Sequence, residues 1–240
     1  MTARMPFSIV SIALLALLLV TDVGFIFLHL VHMYTPFLEV TGYSLDQERG
    51  YAEVFQYVKY FWVALLLGAL ALIRREWIYG VWMVLFFYLL GDDASQFHEL
   101  GGKSIMNLMD YEDQWGLRAQ DFGELSVSLI VLTVFLLLNI KAYASASTDT
   151  RTAIKIYGLL LALLAFFGVV VDILNVLTFG NLHLMVGVLE DGGELLSMSL
   201  LCWFSFHLLE HMGTLPVQAW KRVLGMFMNA LHGKYYTSNV

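Results

Sequence analysis

The chain has 240 residues, 59% of them hydrophobic and 14% charged, with a mean hydropathy of +0.72. A soluble domain is about half apolar and a quarter charged, so this imbalance indicates a polytopic membrane protein. The formal charge of −7 lacks the basic excess that phosphate recognition needs and argues against nucleic acid as a partner, and the single Cys202 cannot close an internal disulfide.

A helix needs roughly 20 apolar residues to cross a hydrocarbon core about 30 Å thick. The hydropathy pattern predicts six, near 6–34, 48–73, 77–100, 117–141, 152–178 and 185–211. The expected fold is therefore all-α, a six-transmembrane-helix bundle over 1–215 followed by a tail over 216–240. In the first helix Arg4 precedes a leucine-rich run, as in a signal peptide. The apolar stretch continues through Phe25–Leu30, however, and no small-x-small site precedes His29 and His32, so the segment reads as a retained helix carrying Asp22, His29 and His32. The second helix carries Glu53, Gln56 and Lys59 at successive steps of three. The third, read as continuous, aligns Asp92, Ser95, Gln96 and Glu99 along one stripe, with Asp93 beside it and His98 on the Ser95 side. The fourth aligns Asp121 with Glu124, and Arg118 precedes them. The fifth carries Asp172, and the sixth stacks Glu190 and Glu194 with Asp191 between. In the tail, Trp220, Lys221, Arg222, Leu224, Phe227, Met228 and Leu231 alternate like a helix lying at the cytoplasmic membrane surface.

Orientation follows from the basic residues, which are enriched in short cytoplasmic segments. With both termini cytoplasmic, nine basic residues fall on that side (Arg4, Arg74, Arg75, Lys141, Arg151, Lys155, Lys221, Arg222 and Lys234), against four on the other. Acidic residues run the opposite way. Measured from the outer helix ends, His29, Glu53, Asp92, Asp93, Glu124, Asp172, Glu190 and Glu194 lie about 8 to 14 Å deep, in one stratum. That layer holds ten acids (Glu53, Asp92, Asp93, Glu99, Asp121, Glu124, Asp172, Glu190, Asp191 and Glu194) against two bases, Lys59 and Arg118. Carboxylates buried without partners cost several kcal/mol each, so cations, protons or water must neutralise them.

Carboxylates with imidazole and no thiolate suit iron, manganese or zinc. The expected ligands of one or two such divalent ions are Glu53, Asp92, Asp93, His98, Asp121, Glu124, Glu190 and Glu194. Supporting or proton-transfer roles fall to Asp22, His29, His32, Lys59, Glu99, Arg118, Asp172 and Asp191, with Arg118 read first as a clamp on Asp121 or a loop acid and second as a bidentate group for an anionic substrate. The set resembles the inward-facing carboxylate–histidine sites of ferritin-like di-iron bundles in residue type. It departs from them in spacing, because the Glu-x-x-His pair of those sites is replaced by Ser95-x-x-His98 and Asp121-x-x-Glu124, and no roles are carried over. His207-x-x-x-His211 is similar to the zinc pair of membrane hydrolases of the alkaline ceramidase type. It sits at the other end of its helix, though, and reads as a polar helix end near lipid headgroups. Glycines beside the acids, Gly91, Gly123, Gly192 and Gly193, are expected where helices approach closely, and Tyr57, Tyr60 and Trp82 as membrane-belt and packing residues.

The resulting expectation is a multi-pass protein of a plasma or inner membrane whose metal site faces the periplasm or exterior. It would act as a metal-dependent oxidoreductase or hydrolase on a small-molecule or lipid substrate arriving from the outer side. The competing readings are a cation or proton transporter with an acidic outer cavity, and a structural or accessory subunit with a polar core. Homo-oligomers and larger membrane complexes remain open as assemblies.

Overall fold

A computed structural model describes residues 7–213 apart from residue 39. The tail over 216–240, together with Arg4 and Glu39, lies outside the described residues. Within them the chain forms seven helices and no strand: α1 (Ile9–Tyr34), α2 (Tyr51–Arg74), α3 (Trp77–Ser95), α4 (Phe97–Met109), α5 (Ala119–Ser145), α6 (Thr148–Val176) and α7 (Asn181–Glu210). Five of these, α1, α2, α5, α6 and α7, are long and apolar enough to cross a membrane. α3 has 19 residues and carries Asp92 and Asp93 in its last turn, which lowers its apolarity.

α7 is the central helix. In its most apolar stretch 67% of residues are buried, against 17% in α1 and 11% in α5 and α6, whose remaining surface is apolar and faces outward. The reason lies in side-chain size. α7 offers Gly192, Gly193, Ser197, Ser199, Cys202 and Ser205, and small residues let several helices pack closely on one. α1, α2 and α6 lie against it, α3 packs on α2 and α5, and α4 lies along α5. The glycine expectation is met at two of these contacts: a Cβ on Gly193 would collide with the Phe167 ring, and one on Gly123 with the Gly102 carbonyl of α4. Trp82, Tyr79, Tyr157, Phe86 and Phe204 fill the middle with no exposed surface to speak of, so Trp82 is a core residue; its indole donates to Asn139 Oδ1 at 2.9 Å.

The third predicted helix is broken where the sequence reads as continuous. Gln96 adopts a left-handed conformation (φ 54°), so α3 stops at Ser95 and α4 sets off in a new direction. Asp92 causes the break. Its Oδ1 accepts the His98 backbone N–H at 2.7 Å and its Oδ2 meets His98 Nδ1 at 3.1 Å, so it caps the new helix with the carboxylate of the old one. His98 and Glu99 therefore belong to α4 and do not continue a stripe from Asp92. α6 has a local departure too, a π-helical stretch over Phe166–Val171 just before Asp172.

Beneath the acidic end, at mid-bundle, Lys59 of α2 and Asp22 of α1 form an ion pair at 3.0 Å with no exposed surface on either side chain. Lys59 Nζ also donates to the Leu195 carbonyl at 2.8 Å and the Ser199 hydroxyl at 3.3 Å, and Ser199 in turn donates to Asp22. A buried pair survives only when its remaining hydrogen-bonding capacity is met, and here α7 meets it.

Candidate functional site

The helix ends bearing the acidic layer come together at one end of the bundle, where most of the layer divides between two adjoining clefts; of the predicted ligands, Asp92 and Glu190 line neither. The larger, about 250 Å³, is lined by seven carboxylates, Asp46, Glu48, Glu53, Asp93, Glu99, Asp191 and Glu194, with His98, Gln56 and Gln96. Among the described residues no lysine or arginine lines it. The smaller, about 150 Å³, is lined by Asp121, Glu124, Asp172, Arg118 and again His98. His98 is thus the residue common to both, a position created by the break at Gln96.

Within the larger cleft α2 supplies Glu53 and Gln56, one turn apart. Tyr57 Oη donates to Glu53 Oε1 at 2.6 Å and to the Asp93 carbonyl at 3.3 Å, and the Arg49 backbone N–H also reaches Glu53. Gln56 Nε2 donates to Glu194 Oε2 at 3.3 Å, while its Oε1 is buried with no hydrogen-bond partner among the described residues. The buried Tyr60 hydroxyl is directed at the Asp93 carboxyl. Tyr57 and Tyr60 are therefore part of the acidic layer and not belt residues. Their spacing from Glu53 and Gln56, four residues in each case, was the available signal. Gly168, in the π-helical stretch, leaves its Cβ position to the Glu194 carboxylate, and sequence reasoning missed this accommodation because α-helical periodicity hides a π turn.

In the smaller cleft Gln120 Nε2 donates to Glu124 Oε1 at 2.6 Å. Gly102 lies so close that a Cβ there would sit 2.7 Å from Glu124 Cγ. Arg118 holds Asp121 through its guanidinium at 2.6 Å and its backbone N–H at 2.8 Å, which is the clamp expected from the sequence. Asp172 and Glu190 approach each other as a carboxyl pair, and Asn175 Nδ2 donates to Glu190 Oε2 at 2.9 Å. Two carboxyls in contact share a proton or a cation.

Several predicted supporting residues lie elsewhere. His29 Nδ1 accepts the Leu45 N–H at 3.0 Å and meets Ser44 Oγ at 3.2 Å, so it ties the loop after α1 to the helix. His32 Nδ1 lies 2.6 Å from the Leu38 carbonyl in the same role. Lys59 and Asp22 neutralise each other below the layer. Glu99, by contrast, does line the larger cleft, and Lys103 one turn on stands 3.7 Å from its carboxylate.

No family model matches the chain, and no curated protein or solved structure does.

His98 is on α4, outside the spanning helices. The hydrogen bond that its ring donates to Asp92 raises its pKa above the ordinary histidine value, outweighing burial, and Asp92, Glu124 and Glu99 add to the rise. One further group of donors lies at the far end of α7, where ligand atoms of His207, Glu210 and His211 stand within 4.8 Å of one another. His207 is about 20 Å along the helix from Glu194 by helical rise.

Proposed function

We propose that the chain is a six-span integral membrane protein that binds a divalent metal ion, iron, manganese or zinc, in the acid-lined clefts and uses it to catalyse a reaction on a small-molecule or lipid substrate. The observation that carries this reading is the larger cleft: seven carboxylates and one imidazole around one small volume, with no lysine or arginine among the described residues that line it, and a buried amide oxygen on Gln56 that has no donor among the described residues. A divalent ion satisfies both the charge and the orphaned oxygen, since carboxylate, amide oxygen and imidazole are all ligands for ions of this hardness.

Glu53, Asp93, Asp191 and Glu194 are the principal ligands in this reading, with His98 at the junction of the clefts. Asp92, Asp121, Glu124, Glu190 and Asp172 form the second acidic flank, where one further ion or a shared proton balances the charge. The metal supplies Lewis-acid polarisation or an activated water. Tyr57 and Tyr60 orient Glu53 and Asp93, Gln56 orients Glu194, and the Arg118 clamp fixes the start of α5. α3 completes the six spans, since 19 residues rise about 28 Å, close to the hydrocarbon thickness. The acidic end is assigned to the outside because Arg74, Arg75, Lys141, Arg151 and Lys155 gather at the opposite end. A transport role is less well supported, because the Lys59–Asp22 pair closes the polar region from below.

Metal analysis of the purified protein tests the reading. Near-stoichiometric iron, manganese or zinc that falls by half or more in Glu53→Gln and Glu194→Gln supports it. Cation flux in proteoliposomes without retained metal would replace it with the transport reading, and neither metal nor flux would leave the layer as a proton-sharing structural core.

A further inference from the structure

The end of α7 farthest from the clefts carries a second set of donors that the proposed site does not use. The helix finishes His207-Leu208-Leu209-Glu210-His211, and steps of three and four place those three side chains on one face. One ligand atom from each lies within 4.8 Å of the other two. Donors bound about 2 Å from a common tetrahedral ion stand about 3.3 Å from each other, so closure needs at most about 1.5 Å of adjustment, which the exposed Glu210 and the half-buried His211 can supply.

The His211 ring is oriented for the task. His211 Nδ1 lies 2.9 Å from the His207 carbonyl oxygen, which only accepts, so Nδ1 carries the proton and Nε2 the lone pair. A ring N–H donated to a backbone carbonyl is the usual support of a metal-binding histidine. His207 is fully buried, with Nδ1 3.5 Å from Ser11 Oγ, Trp203 stacked at a centroid separation of 5.9 Å and the Phe7 edge at 5.1 Å. Glu210 supplies the negative charge, and the carbonyls of the last helical turn add the negative end of the helix dipole. Among the described residues a nearby cation, Arg74, has its stem against Gly213 and its guanidinium engaged by Glu76 at 3.6 Å and Ser147 at 3.5 Å.

We infer that His207, Glu210 and His211 form a second divalent transition-metal site, for which zinc is the best-fitting ion. Two imidazoles and one carboxylate are a familiar zinc set and leave a fourth position for water or another ligand. The site is independent of the acidic clefts, being at the other end of the bundle.

The test titrates zinc and cobalt(II) into the full chain in detergent, purified without a polyhistidine tag. His207 is too deeply packed for its loss to be diagnostic, so the variants are His211→Ala, Glu210→Gln and His211→Cys. The expected result is that His211→Ala and Glu210→Gln weaken one equivalent of zinc by about tenfold or more and abolish the tetrahedral cobalt absorption. His211→Cys, which substitutes another zinc ligand, retains the equivalent, and Glu194→Gln leaves it in place while reducing binding at the clefts. Equal zinc binding by wild type and His211→Ala overturns the inference without touching the cleft reading.

Discussion

A lysine and an aspartate held 3.0 Å apart with no exposed surface stabilise each other only as a pair. Removing one partner strands a charge in the bundle, so Lys59→Met is expected to destabilise the protein by about 3–5 kcal/mol. The double replacement Asp22→Leu with Lys59→Met is expected to recover most of that loss, because it removes both charges and fills the space with apolar atoms. Thermal unfolding in detergent measures both, and a double variant no better than the single one would contradict the account. His98 supplies a pH-dependent counterpart. Its folded pKa is raised by Asp92, so the stabilisation it brings is complete below its unfolded value near 6.5 and is lost as pH rises through the folded value. In metal-free protein, Asp92→Asn is expected to flatten the stability–pH curve in that window and to lower the His98 titration midpoint seen by NMR.

At the scale of elements, α4 exists as a separate helix because Asp92 caps it and because α5 presents Gly123 to Gly102. A methyl at position 123 would meet a backbone carbonyl, which cannot rotate away. Gly123→Ala is therefore expected to cost about 1–3 kcal/mol and to separate His98 from Glu124, while Gly158→Ala, where nothing lies within 4 Å, is tolerated. A Gly123→Ala variant as stable as wild type would show that the contact between α4 and α5 is looser than described. The same pair of helices shows what the sequence could and could not reveal. Apolar length locates α1, α2, α5, α6 and α7, since a spanning helix announces itself by hydropathy alone. The acids were also legible as one layer, because helical rise gives depth without tertiary information. The break at Gln96 was not, because it comes from a carboxylate reaching forward six residues, and no periodic template contains that contact. The sharing of the layer between two clefts, and the entry of Tyr57 and Tyr60 into it, depend on which helix faces which. Depth from an end says nothing about that rotation.

For the whole molecule, charge is sorted by end. If the carboxylates hold a divalent ion, the native state gains RT ln(1 + [L]/Kd), about 2.7 kcal/mol at a hundredfold excess over Kd. Manganese or zinc is thus expected to raise the melting temperature of chelator-treated protein, and the combined Glu53→Gln, Asp93→Asn and Glu194→Gln variant is expected to lose the part of that shift that His211→Ala retains. Orientation is open to a separate check. Cys202 is buried, so cysteines introduced elsewhere report without background. In intact cells an impermeant maleimide is expected to label Asp110→Cys directly and Asp149→Cys only after permeabilisation. The reverse pattern would turn the clefts to the cytoplasm.

The central position of α7 has a consequence for biogenesis. Of the seven described helices it is the last to be synthesised, yet it is the one on which α1, α2 and α6 close. Until it arrives, the first two hydrophobic segments leave the ribosome with an acid and a base that have only each other, and no serine or carbonyl to complete their shell. Nascent chains arrested before residue 181 should consequently linger with the insertion machinery or be degraded, and release into the bilayer should coincide with the emergence of the final segment.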